Sequence, residues 1–576
     1  MLKKLLPCTK GYRLTSALAS LFVVGETIME VFIPFLMMKI VDIGIAGRDM
    51  DYVLRIGGLM VTVCLASLVC GTLSGRFAAV AATGFAKNVR GRVFHHMQGF
   101  SFANIDRFAP ASLITRLTID VNNTQLAYMM VIRMMVRSPV MMIAATIMAV
   151  NINARLSLVF VVAIPLMALA LFLIMRAAYP RFGRMLEKYD AMNAEVREKL
   201  TAIRVIKAFV REDYEYGNFV NAASALRNFQ IKAEKIVILN MPLMMTAMFA
   251  CIIAVLWFGG QQIIFGAMQA GELFSFITYV SQILISLMMF SMAFITLVIS
   301  WASIKRITEV LDEKPDIADS DGSAAAPQIK DGGLRFEHVS FSYTKDKDRL
   351  NLHDIDFEIK PGQTVGIIGG TGSAKTTLVQ LIPRLYDVDE GRVLVGGHDV
   401  RDYRLSDLRD AVAMVLQENL LFSGTIAENL RWGDARATDE QMIAAAKVAQ
   451  AHDFIVAMPE GYDTLLGQAG VNLSGGQKQR LTIARALLKT PKIIILDDST
   501  SAVDTATDAR LRAAFRSELQ GVTTIIIAQR IASVMDADHI IVLDEGRIAA
   551  QGSHQQLLDE GGIYAEVFHS QSKGVS

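Results

Sequence analysis

The chain has 576 residues, 52% of them hydrophobic, with a mean hydropathy of +0.38 and a formal net charge of +1. The length permits several domains, the hydropathy is high for a soluble protein, and the charge gives no overall attraction to nucleic acid. Four scattered cysteines and nine histidines without metal-ligand spacing exclude a disulfide framework and a zinc pattern.

In chain order, six stretches are apolar over the roughly 20 residues that a membrane helix needs. They run over about 14–45, 53–82, 126–150, 156–179, 236–266 and 272–303. The first follows the basic flank "MLKKLLPCTKGYR" without a small-residue cleavage site, so it reads as a retained span. Lys and Arg collect on the cytoplasmic side of membrane proteins. Residues 76–125 hold six of them and residues 176–235 hold twelve, whereas the opposite loops contribute only Arg48 and Arg155. The N-terminus, both long loops and the C-terminal part are therefore cytoplasmic, as in a multi-pass bacterial plasma-membrane protein. Both long loops keep helical periodicity, which predicts spans continuing as helices into the cytosol and turning near 101–108 and 204–212.

Charge inside the spans is sparse. Glu26 and Glu30 lie four apart on one helix face, as do Arg133 and Arg137. Buried intramembrane charge is costly and marks function by default. The arginines read more simply as lying toward the cytoplasmic end of span three, and Glu30 reads equally as cavity-lining or as packing. Most of the 30 methionines read as packing, although a Met-rich cavity would also suit substrates of varied shape.

After span six, residues 311–333 begin helical and end in small and polar residues, so they read as a linker between a membrane domain (1–310) and a soluble α/β domain (334–576). There the strand "QTVGIIG" (363–369) runs into "GGTGSAKTT" (369–377) and a helix, the order of a phosphate-binding loop. Backbone N–H groups of Gly369, Gly370, Thr371, Gly372, Ser373, Ala374 and Thr377 and the helix start would face the phosphates of ATP. Lys375 would reach the β and γ phosphates, and the Thr376 hydroxyl would ligand Mg²⁺. Ala374 stands where the pattern has glycine, at a cost of about 1 kcal/mol if the loop needs a left-handed residue there. Further on, "IIILDD" (493–498) is a buried strand ending in the carboxylates Asp497 and Asp498, which suits metal binding.

These motifs, with "LSGGQKQR" at 473–480, resemble the ABC ATPases, and six spans fused ahead of one such ATPase resemble a half-size ABC exporter. The resemblance implies an α-helical membrane domain with long cytosolic extensions followed by an α/β P-loop ATPase. It implies that Tyr343 stacks on adenine, that Gln417 is the Q-loop glutamine joining Thr376 and Asp497 at Mg²⁺, and that "SAVD" with Asp504 is the D-loop. Ser474, Gly475, Gly476 and Gln477 would serve the ATP site of a second chain. "TRLTIDV" (115–121) and residues 200–215 look like exporter coupling segments.

Two departures fall in one site. Asp498 stands where these exporters usually have glutamate, and Gln529 where they have the switch histidine. The shorter carboxylate is set back by about 1.5 Å, one C–C bond. Glutamine carries no charge and relays no proton. The pattern resembles the degenerate-site subunit of heterodimeric bacterial multidrug exporters, which predicts a second half-transporter as partner, a lipid bilayer and a small hydrophobic or amphipathic substrate. A homodimer with neutral substitutions stays open. So do a lipid or peptide exporter, a siderophore importer on the exporter fold, and an ATP-gated regulatory or channel-like subunit.

Overall fold

The computed structural model describes residues 2–319, 327–498 and 505–573. They form two compact units. One comprises residues up to 98 together with 111–313, and the other residues 99–110 together with those from 314 onward.

The first unit is helical, and its described residues include six helices long and apolar enough to cross a membrane: Arg13–Ile45, Met50–Gln98, Pro110–Ile152, Leu158–Thr201, Glu212–Ile264 and Ala270–Asp312. Each contains, to within a residue or two, one apolar stretch read from the sequence. At 1.5 Å per residue, the 49 residues of Met50–Gln98 span about 74 Å, against a hydrocarbon core of about 30 Å. The excess is the helical extension that the loop periodicity predicts.

Around Pro34, inside the first span, side chains of the sixth span donate to backbone carbonyls. Pro34 lacks the N–H that would reach the Glu30 carbonyl, and Gln282 Nε2 donates to that carbonyl at 3.4 Å. Tyr279 donates to the Val31 carbonyl (2.9 Å) and Ser275 to that of Pro34 (2.6 Å). Such pairing is required where no water can reach the backbone. Met141, Met167 and Met244 are buried in the helix core, consistent with a packing role.

Glu26, Glu30 and Arg137 meet between the first and third spans. Arg137 Nη1 donates to Glu26 Oε1 (2.6 Å), and Nη2 donates to both carboxylate oxygens of Glu30 (2.9 and 2.7 Å). This differs from the simpler expectation for Arg137: two carboxylates one turn apart supply the counter-charge that lets an arginine sit within the bundle. Arg133 lies beside helix Met50–Gln98, close to Gly75. In the cytosolic extensions Asp120, fully buried, pairs with Arg306. The second hairpin tip carries the short helix Ile203–Ala208, after which Phe209 and Val210 are 73% and 82% exposed.

Among its described residues the second unit has twelve strands: β1 (Leu334–Phe341), β2 (Leu352–Ile359), β3 (Thr364–Gly369), β4 (Glu390–Val395), β5 (His398–Asp399), β6 (Val412–Val415), β7 (Gly424–Thr425), β8 (Leu465–Leu466), β9 (Ile493–Asp497), β10 (Thr523–Ile527), β11 (His539–Asp544) and β12 (Arg547–Gly552). The order β2-β1-β4-β5 makes an antiparallel sheet, and β12-β11-β3-β10-β9-β6 a sheet that is parallel except for β12. The parallel strands are near-continuous Ile, Val and Leu, as burial on both faces requires. Helix Phe102–Phe108 belongs to this unit. Its Asp106 accepts a hydrogen bond from Tyr386 (2.7 Å), and Asn104 donates to the Lys314 carbonyl.

Candidate nucleotide site

In open α/β sheets ligands bind beyond the carboxyl ends of the parallel strands. Here β3, β6, β9 and β10 end together. Ile527 sits in register with Ile367 on one side and with Asp497 on the other, and Leu496 with Val415. The residues that follow these four strands, distant in sequence, therefore converge. A cleft of ≈ 290 Å³ lies there, lined by Thr371, Gly372, Ala374, Lys375, Thr376, Thr377, Gln417, Asp497, Asp498 and Gln529, with Asn351 and Ile527.

The loop after β3 is shaped by its small residues. A Cβ on Gly369 would run into the Leu543 carbonyl and the Ser373 hydroxyl, and Gly372 has φ +85°. Ala374 is left-handed (φ 68°, ψ 25°) at the start of helix Lys375–Gln380, so the strain foreseen at this position is present. Lys375 Nζ donates to the carbonyls of Gly369 (2.9 Å) and Gly370 (2.7 Å). Burial lowers the Lys375 pKa below the ordinary lysine value, opposed by the charges of Asp497 and Asp498.

Asp497 is 2% exposed. Burial raises its pKa, a hydrogen bond with Thr376 lowers it, and the charge of Asp498 raises it again. Its Oδ2 is buried without a hydrogen-bond partner among the described residues. An orphaned carboxylate oxygen beside a hydroxyl, with the exposed Gln417 lining the same cleft, makes a set of hard oxygen donors that fits Mg²⁺.

Asp498 has φ 47°. Its N–H donates to the Ile527 carbonyl (3.0 Å), and its Oδ2 accepts from Gln529 Nε2 at 3.1 Å. The two residues that depart from the exporter pattern thus touch each other.

Other expected residues lie apart from the cleft. Ser474 starts helix Gly475–Leu488 in a capping box with Gln477, Ser474 Oγ accepting from the Gln477 N–H and Gln477 Oε1 from the Ser474 N–H. None of Ser474, Gly475, Gly476 and Gln477 lines the cleft. Tyr343 is half-exposed outside it, donating to Thr377 Oγ1 (3.0 Å) and packed edge-on against Phe341 and Tyr386. Asp504 lies outside the described residues. Asn351 and Ile527 escaped the sequence reading. Nothing local marks them: Asn351 accepts from the Tyr343 N–H across a loop, and Ile527 reads as an ordinary strand end.

Compared with known proteins, residues 17–288 match the family model of the ABC transporter transmembrane region and residues 352–501 that of the ABC transporter. The uncharacterized ABC transporter ATP-binding protein YfiB of Bacillus subtilis (strain 168) is 38% identical over 570 residues, 99% of this chain and 98% of that protein. An ATP-dependent lipid A-core flippase of Syntrophus aciditrophicus (strain SB) is 32% identical over 480 residues, 82% of this chain and 78% of the flippase. The solved structure of a bacterial Atm1-family ABC exporter with ATP bound matches with a TM-score of 0.84 at 27% identity, covering 97% of this chain and 98% of its own.

Proposed function

The chain belongs to the ABC transporter family as a half-size exporter of the multidrug and lipid-flippase type, and from that premise we propose that it is the degenerate-site half of a heterodimer that exports hydrophobic or amphipathic compounds. It is a multi-pass plasma-membrane protein with a cytoplasmic ATPase domain, and exporters of this kind act as dimers that couple ATP hydrolysis to transport.

The observation that carries the proposal is the Gln529–Asp498 hydrogen bond. A general base must lie within hydrogen-bonding reach of its water. The Asp498 carboxylate is shorter than glutamate, and one of its oxygens is engaged by an amide with no ionisable proton. A misplacement of about 1 Å can cost roughly 100-fold in rate. This chain's own site is therefore read as one that binds ATP and hydrolyses it slowly. Thr376, Asp497 and Gln417 would hold Mg²⁺ there, which when bound neutralises phosphate charge. Lys375 would leave the Gly369 and Gly370 carbonyls for the phosphates, and the N–H groups of the Gly-rich loop would orient them.

Ser474, Gly475, Gly476 and Gln477 would complete the partner's hydrolytic site. Their absence from the Lys375 cleft supports a role on a nucleotide held by another chain. The bare apolar tip at Phe209 and Val210, on the water-facing hairpin, likewise supports contact with a second polypeptide. A hydrophobic or amphipathic substrate is supported by similarity to a protein named for multidrug export and to lipid A-core flippases.

ATP turnover tests this reading. It is measured for the chain alone and with a candidate partner half-exporter, each with and without Asp498→Glu plus Gln529→His. Near-silence alone, activity with the partner and a gain from the double substitution are expected. Brisk hydrolysis by the chain alone would overturn it.

A further inference from the structure

Gln479 is 1% exposed and sits one turn inside helix Gly475–Leu488, the helix that Ser474 and Gln477 begin. Its Nε2 donates to the carbonyl of Asp498 at 3.3 Å, and its Oε1 is buried without a hydrogen-bond partner among the described residues. Asp498 has a backbone conformation that side chains other than glycine rarely adopt. Contacts from three segments hold it: the Ile527 carbonyl on its N–H, Gln479 on its carbonyl and Gln529 on its carboxylate.

We propose that Gln479 is a positioning residue that couples the two ATP sites of the dimer through this chain. The inference rests on the reading above, in which the Ser474–Gln477 segment serves the partner's nucleotide and Asp498 serves this chain's own. Ser474 and Gln477 are fixed to Gln479 by one rigid turn of helix. Gln479 is fixed to the Asp498 peptide by a buried hydrogen bond. Asp498 in turn carries Gln529. A shift of the helix start toward the partner's phosphates therefore pulls on the Asp498 carbonyl and changes how its carboxylate meets the Gln529 amide. The reverse also holds: by linkage, occupancy of this chain's site biases the position of the signature helix in the other site. Each link is a contact between named groups, so the coupling has a physical route and not only proximity.

Without the Gln479 donor, the Asp498 peptide loses one of the contacts that hold its left-handed conformation. Nucleotide binding by the Gly-rich loop does not pass through this bond, so the loss falls on turnover and not on affinity.

The test uses the full dimer in lipid nanodiscs. Gln479→Met keeps the volume and removes the donor. It is expected to lower kcat about five-fold, the effect of one neutral hydrogen bond, with KM for ATP unchanged and the fold retained. Combined with Gln529→Ala it is expected to do no further harm, because both act on one path. Gln479→His, which keeps an N–H donor, is expected to restore turnover and covers the case in which the methionine variant does not fold. An unchanged kcat, strictly additive losses, or a histidine variant as slow as methionine would each overturn the proposal. Ser474→Arg separates this from failure of the underlying reading: if it leaves turnover intact, the signature segment completes no working site. If it abolishes turnover, the Gln479 result bears on the coupling alone.

Discussion

Replacing Arg137 by glutamine probes the charge cluster between the first and third spans. Arg137 donates three hydrogen bonds of 2.6–2.9 Å to two carboxylates. Removing one partner of a buried pair costs about 3–5 kcal/mol, because the remaining charge is left in a poor solvent. The side chains of Arg137, Glu26 and Glu30 are 26%, 12% and 29% exposed between two membrane spans, where what surrounds them is not bulk water, so the cost stays at about 3–5 kcal/mol. Glu26→Gln leaves an amide oxygen that still accepts from Nη1 and should cost only about 1 kcal/mol. Neutralising Glu26, Glu30 and Arg137 together should cost less than Arg137→Gln alone, since no lone charge remains. Heat-induced unfolding in nanodiscs, followed by intrinsic fluorescence, ranks the four proteins. The reasoning fails if Arg137→Gln unfolds with the wild type, or if the triple variant is the least stable of the series.

Ala374→Gly relieves a left-handed residue that costs about 1–2 kcal/mol, against about 0.4–1 kcal/mol of added freedom in the unfolded chain. Thermal unfolding should therefore shift upward by the equivalent of about 0.5–1 kcal/mol, and a fall would contradict the strain assignment. Tyr386→Phe removes the hydrogen bond to Asp106, and amide hydrogen exchange in helix Phe102–Phe108 should quicken about five-fold; unchanged exchange means the helix is held by packing alone. His338 lies 2.8 Å from Asp354 and 3.8 Å from Asp356, and the bond with Asp354, with both charges, raises its pKa above the ordinary 6.5. A raised imidazole pKa favours the folded state at low pH, and the contribution fades as pH rises through the folded value. An NMR titration should place the His338 midpoint above that of a free histidine and lower it in Asp354→Asn; a wild-type midpoint at or below the free value refutes this.

The spans and the phosphate loop were legible because each obeys a local rule. A bilayer demands a fixed run of apolar residues with every backbone group paired inside the helix, so six runs announce six helices. The order strand, Gly-rich loop, Lys375, Thr376 and helix is a contiguous device that carries its own geometry. Glu26 and Glu30 could be placed on one face from their spacing alone.

What those residues face was decided only by tertiary structure. The partner of Glu26 and Glu30 is Arg137, 107 residues beyond Glu30, and helical periodicity names a face without naming its neighbour. The sequence pattern puts Asp498 and Gln529 in one site, but their contact depends on β9 and β10 pairing in a register that sets Ile527 against Asp497. The same register brings Ile527 into the cleft, and a loop crossing brings Asn351. Gln479 lies within "LSGGQKQR", but what it does comes from a buried bond between a helix and the end of a strand, which the motif does not announce. Sequence encodes which groups are available and on which side of an element they stand. Strand register and helix packing, which depend on contacts across many residues, decide which of them meet.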